Sequence, residues 1–226
     1  MGNETRMEVR VGEVTHAAEG AVTPLSVLSK YVPDADAEAR WREAELRRMD
    51  AARWAFAVDA GIPQYVIDLY RAGRWERTDD FERVLTAIRS GRQLVLLHGP
   101  LGTGKSVAAA AILLEPANVG LEGPRFVGRW VHAADYAAWA RDRDSAWRAD
   151  DVSRSLYLVV DDAGDEPVKD RPHVARLIGR RYDSRRVTII TTNMTGHEFK
   201  DAYGQRIADR VREAGVSRGF TERRRK

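Results

Sequence analysis

Leu94-Val95-Leu96-Leu97-His98-Gly99-Pro100-Leu101-Gly102-Thr103-Gly104-Lys105-Ser106 is the stretch from which the rest of the chain is read. Its four apolar residues predict a buried strand, its glycines a turn, and the alanine-rich run that follows a helix over 106–114. The spacing Gly99…Gly104-Lys105-Ser106 is G-x-x-x-x-G-K-[ST], the pattern of a phosphate-binding loop set between strand and helix. Glycines let backbone N–H groups turn inward around a polyphosphate, and the helix start adds free N–H groups and the positive end of its dipole. The cradle predicted here is Gly99, Pro100, Leu101, Gly102, Thr103, Gly104, Lys105, Ser106 and Val107. Lys105 is placed to reach the β- and γ-phosphates of a nucleoside triphosphate, and the Ser106 hydroxyl to ligate Mg²⁺.

Composition limits what surrounds this motif. The 226 residues are 43% hydrophobic and 31% charged, which describes a globular α/β domain with a smaller appendage. No apolar run approaches the roughly 18 residues of a membrane span, and Met1-Gly2-Asn3-Glu4-Thr5-Arg6 does not open a signal peptide. The lack of cysteine excludes disulfides and thiolate metal sites and fits a cytoplasmic compartment. The five histidines show no ligand spacing. Residues 216–226 hold five basic side chains against one acid, which accounts for the net charge of +3 and leaves the remainder near neutral. Overall basicity is therefore no argument for nucleic-acid binding, and only the tail offers one.

Along the chain, residues 1–33 read as an irregular arm. Residues 34–60, rich in Ala, Arg, Glu and Leu, predict a long helix capped by Asp34 or Asp36, with Leu46, Met49, Phe56, Ala57 and Ala60 near one face. Gly61-Ile62-Pro63 stops it, and a short apolar segment over 65–70 follows. Phe81, Val84, Leu85 and Ile88 repeat at helical spacing behind Asp79-Asp80-Phe81-Glu82. After the phosphate loop come a second strand over 125–132 and helical composition over 133–149, with Tyr136, Ala140 and Trp147 available for burial. A third strand over 156–160, a helix marked by Val174, Leu177, Ile178 and Tyr182, a fourth strand over 187–191 and a helix over 205–214 complete the pattern. Strands alternating with helices predict a mostly parallel sheet that binds ligand at the carboxyl ends of its strands.

The third strand closes on Leu158-Val159-Val160-Asp161-Asp162, the Walker B arrangement. Strand side chains alternate, so the two acids face different ways. Asp161 is assigned to Mg²⁺ and Asp162 to orienting or deprotonating the attacking water, with Asp165 and Glu166 close enough to compete for that role. The fourth strand ends Thr191-Thr192-Asn193, and the Asn193 amide could hold the same water. Arg206 and Arg210, four apart, share a helix face. Such a pair matters to catalysis only where a neighbouring subunit presents a nucleotide to it.

The order GPLGTGKS, LVVDDAGDEP, TIITTN, GQRIADRV resembles the AAA+ ATPases of the DnaC/IstB-like family, which includes helicase loaders and transposition ATPases. Ala60-Gly61-Ile62-Pro63 and Val131-His132-Ala133-Ala134-Asp135 extend the match, which covers roughly residues 58–212. The resemblance implies a P-loop α/β core with a parallel sheet flanked by helices, a small helical N-terminal region and no C-terminal lid domain. It implies ATP and Mg²⁺ at subunit interfaces of a ring or spiral, Asn193 as the first sensor, Arg210 as the trans-acting arginine and Arg206 as its companion. It also implies a partner, the replicative helicase in loaders, docked on the N-terminal region, and contact of the core with single-stranded DNA. Without cysteines, the zinc-bearing N-terminal domain of some loaders is not expected, and Arg185-Arg186 stand where the family often has a proline.

The domains expected are thus an N-terminal arm and helix over 1–60, an ATPase core over 61–215 and a basic tail over 216–226. The leading function is an ATPase of DNA replication that loads a helicase. A transposition-assisting ATPase shares the core and differs in partner, and a nucleotide-gated adaptor with negligible turnover shares the motifs. A small-molecule P-loop kinase is disfavoured by the late Arg206/Arg210 pair and the TTN strand end.

Overall fold

The computed structural model describes residues 35–73, 79–115, 117–118 and 124–220. The N-terminal arm, the capping Asp34, the helix-ending Pro116 and residues 221–226 of the tail lie outside the described residues. The chain divides into two compact units, Met1–Leu46 and Arg47–Lys226. The described part of the first is the beginning of helix α1 (Ala35–Asp59), where Arg42 and Glu38 pair across one turn at 3.0 Å. Leu46, expected on a buried stripe, is 69% exposed, and the stripe is realised only further on, at Ala57 and Ala60.

In the second unit α1 is followed by α2 (Gln64–Arg71), α3 (Asp79–Arg89), β1 (Leu94–His98), α4 (Lys105–Leu113), β2 (Ala117–Asn118), β3 (Pro124–Arg125) and β4 (Arg129–His132). Next come α5 (Ala133–Arg141), α6 (Ala146–Ser153), β5 (Tyr157–Asp161), a 3₁₀ turn (Val168–Asp170) and α7 (Arg171–Asp183). β6 (Val187–Thr192), α8 (Gly196–Tyr203), α9 (Gln205–Ala214) and β7 (Gly215–Gly219) complete it. The main sheet has the order β4-β5-β6-β1-β7, and each neighbouring pair is parallel. A parallel sheet needs both faces covered, which is why its strands read as unbroken apolar runs. Val95, Leu97, Val159 and Ile189 pack on one face against α1 to α4, and Leu94, Leu96, Leu158, Val160 and Ile190 on the other against α5 to α9. The four alanines of α4, Ala108 to Ala111, are all buried, and their small size brings that helix close to the sheet. Among the described residues no helix is long and apolar enough to cross a membrane.

Four local expectations are corrected. The strand expected over 125–132 joins the main sheet only from Arg129, while Pro124–Arg125 pairs antiparallel with β2. Gly128 causes the break: its φ is +142°, and a Cβ there would lie 2.4 Å from Leu113 Cδ1. The helix expected over 133–149 is two helices, because the Asp142 backbone is extended and its carboxylate accepts from Ser145 N at 3.2 Å, just ahead of α6. Trp147 consequently turns outward, 65% exposed. Residues 216–219, taken from sequence as the start of a tail, form β7 instead. Its Cβ-poor sequence Gly-Val-Ser-Arg-Gly lacks apolar alternation, and its strand geometry comes from the parallel ladder with β1.

Candidate functional site

β1, β5 and β6 lie side by side and end together, so the loops after them converge. After β1 the chain enters the glycine-rich loop, with Gly99 N donating to Thr192 O at 3.3 Å. Gly99 is walled by the residue after β7: Phe220 N donates to His98 O at 2.7 Å, and a Cβ on Gly99 would sit 2.0 Å from Phe220 O. Any other residue at 99 would push the loop and the sheet edge apart. Thr103 Oγ1 donates to Pro100 O at 2.9 Å and closes the turn.

Lys105, buried at the start of α4, donates its three ammonium N–H groups to Gly99 O at 2.9 Å, Pro100 O at 2.8 Å and Asn193 Oδ1 at 2.9 Å. Burial lowers its pKa, and the nearby carboxylates of Asp162 and Asp161 pull the other way. Ser106 Oγ donates to Asp161 Oδ1 at 2.9 Å. Asp161 is 1% exposed and, among the described residues, forms no ion pair. Burial raises its pKa and the neighbouring Asp162 charge adds to this, against the hydrogen bonds from Thr191 and Ser106. A buried carboxylate with the Ser106 and Thr191 hydroxyls at its side is an oxygen donor set that suits Mg²⁺.

Asp162 is one of two non-glycine residues with positive φ, at +51°, among the described residues. Its carboxylate faces His132 Nε2 at 3.5 Å. His132, Asp162 and Asp165 bring ligand atoms within 4.8 Å of one another. However, His132 Nδ1 accepts from Ala134 N at 3.3 Å, which places the imidazole proton on the Nε2 that faces Asp162. The histidine is therefore set as a donor and not as a metal ligand. Asp165 is exposed, whereas Glu166 is buried with both oxygens taken, one by Tyr203 Oη and the other by Gly164 N. Glu166 is removed from the choice of water-handling acids.

The structure thus gathers Lys105, Ser106, Asp161, Asp162 and Asn193 at one end of the sheet. Arg206 and Arg210 are not brought to that cluster. Arg210 donates to Asp183 at 2.8 Å, lies 4.6 Å over the Tyr182 ring and has a side chain 12% exposed. Those partners form the last turn of α7, which leads into the start of β6, the opposite end of the sheet. Arg206, one turn earlier, is exposed.

Sequence reasoning passed over four polar residues that hold this region. Thr191 reaches Asp161 at the end of β5 and Asp162 just after it. Tyr203 ties α8 to Glu166, and Thr195 with Glu198 forms a capping box on α8, a helix whose T-x-x-E signature stands in the sequence.

The chain matches no protein-family model and no curated protein sequence. Among solved structures, the DnaC helicase loader is 21% identical with a TM-score of 0.50, over 65% of this chain and 94% of that one. The DnaI structure is 19% identical with a TM-score of 0.50, over 66% and 86%. At such identities the likeness is one of fold. The chain shares with these two structures a parallel β-sheet flanked by helices.

Proposed function

We propose that this protein binds ATP with Mg²⁺ at the phosphate loop, hydrolyses it, and works in DNA replication by loading a replicative helicase. The observation that carries the ATPase reading is the 2.9 Å bond between Ser106 Oγ and Asp161 Oδ1, which joins the helix after the loop to the acid at the end of β5. Backbone N–H groups of Leu101 to Val107 wrap the triphosphate, and Lys105 exchanges its loop carbonyls for β- and γ-phosphate oxygens. Ser106 and Asp161 are the residues that would hold Mg²⁺, whose charge would offset that on the phosphate oxygens. Asp162 accepts a proton from, or orients, the attacking water, and His132 Nε2–H faces its carboxylate. Asn193 leaves Lys105 to hold the same water or the γ-phosphate.

The loader reading is supported by the likeness to the DnaC helicase loader and to DnaI. In it, residues 1–60 dock the helicase, the core meets single-stranded DNA, and subunits assemble with ATP between them. Arg206, being exposed, is free to face a neighbour's nucleotide, whereas Arg210 must first leave Asp183 and Tyr182. Calorimetry with ATP and Mg²⁺, followed by phosphate release, tests the chemistry; absence of Mg²⁺-dependent ATP binding would remove it. Affinity capture with residues 1–60 as bait tests the partner. Recovery of a replicative helicase supports loading, while recovery of a transposase sinks it in favour of a transposition helper.

A further inference from the structure

We infer that Thr191 is a positioning residue for both acids of the ATPase site, setting the carboxylate of Asp161 and the backbone of Asp162 through one hydroxyl. The inference rests on the ATPase reading above. Thr191 is fully buried near the end of β6, beside the end of β5. A hydroxyl has one proton to give and can accept in return. Thr191 Oγ1 gives its proton to Asp161 Oδ1 at 2.6 Å and accepts from Asp162 N at 2.8 Å. Its own carbonyl accepts from Ala163 N at 2.8 Å. The end of β5 and the turn after it are therefore stitched to Thr191 at three successive residues, Asp161, Asp162 and Ala163.

This stitching does two things that the acids cannot do for themselves. Asp161 Oδ1 receives both Thr191 Oγ1 and Ser106 Oγ, and among the described residues no hydrogen bond to Oδ2 is found, so the carboxylate is held with Oδ2 available to a cation. Asp162 adopts φ +51°, a conformation that a non-glycine residue keeps only where its surroundings fix it. The bond from Asp162 N to Thr191 Oγ1 is one such fixture. Thr192 provides a built-in comparison. It is equally buried, but its hydroxyl goes to Ala163 O and accepts from Met194 N at 3.1 Å, touching neither acid.

The test compares Thr191→Val, Thr191→Ala, Thr191→Ser and Thr192→Val in the full chain, measuring melting temperature, ATP affinity without metal, and turnover against Mg²⁺ concentration. Loss of an outer-shell partner typically costs about 10–100-fold in metal affinity or activity. Thr191→Val and Thr191→Ala are expected to keep metal-free ATP affinity within about twofold, to raise the Mg²⁺ needed for half-maximal turnover about 10-fold or more, and to lower kcat. Thr191→Ser restores both, and Thr192→Val leaves the Mg²⁺ requirement unchanged. Parental Mg²⁺ dependence and kcat in folded Thr191→Val or Thr191→Ala overturns the inference. So does a loss of activity that tracks melting temperature alike at 191 and 192. A parent protein with no Mg²⁺-dependent turnover overturns the ATPase reading as well, which separates the two failures.

Discussion

Lys105 shows how one side chain can be committed twice. Its ammonium already has three oxygen partners, so a phosphate in the proposed site would have to compete with Gly99 O, Pro100 O and Asn193 Oδ1 for it. A charge-assisted hydrogen bond contributes about 1.5–3 kcal/mol, so Lys105→Ala is expected to weaken ATP binding about 10- to 100-fold, read by calorimetry. Asp162→Ala should separate binding from chemistry. General-base contributions run at about 10²–10⁴-fold, and a loss of that size in kcat with ATP affinity preserved is expected in a phosphate-release assay. Full turnover in that variant would move the water-handling role to Asp165, since Glu166 is engaged with Tyr203 and Gly164.

Between elements, a buried cation does work that a salt bridge would do elsewhere. Arg181, 1% exposed in the last turns of α7, gives its five N–H groups to Thr188 Oγ1, Ser153 O, Ser155 O, Leu156 O and Val187 O. It thereby ties the link between α6 and β5 to the start of β6. Burial, with neighbouring Arg186, lowers its pKa to about 9, so it remains charged at neutral pH. Arg181→Lys offers three donors where five are needed, and a loss of about 2–4 kcal/mol in urea unfolding is expected, with ATP affinity unchanged. None of this was legible in the sequence, where nothing local distinguishes Arg181 from Arg180, Arg185 and Arg186. The phosphate loop, the Asp161-Asp162 strand end and α3 were legible because each rests on local spacing: G-x-x-x-x-G-K-S, an apolar run closing on acids, and Phe81, Val84, Leu85 and Ile88 at helical intervals. β7 and the hydroxyl of Thr191 were not, because both acquire meaning only from strands distant in the chain. The break at Gly128 was hidden for a related reason, since it depends on Leu113 and Tyr157.

On the scale of the whole molecule, the residues of the proposed nucleotide site lie within the unit Arg47–Lys226. A chain lacking residues 1–46 is expected to bind ATP within about twofold of the full protein, while losing capture of the helicase; a large loss of ATP affinity would place part of the site in the removed segment. The wall behind Gly99 has a further consequence, for the order in which the protein is made. β1 is flanked by strands that lie 94 and 121 positions later, by the registers Leu94↔Thr188 and Leu94↔Gly215. Such distant pairings are slow to form, because a long loop must close before any contact rewards it. A growing polypeptide therefore carries the entire glycine-rich motif well before that motif can grip anything. Nucleotide in the refolding buffer should slow unfolding of the finished core and leave the early steps of folding untouched.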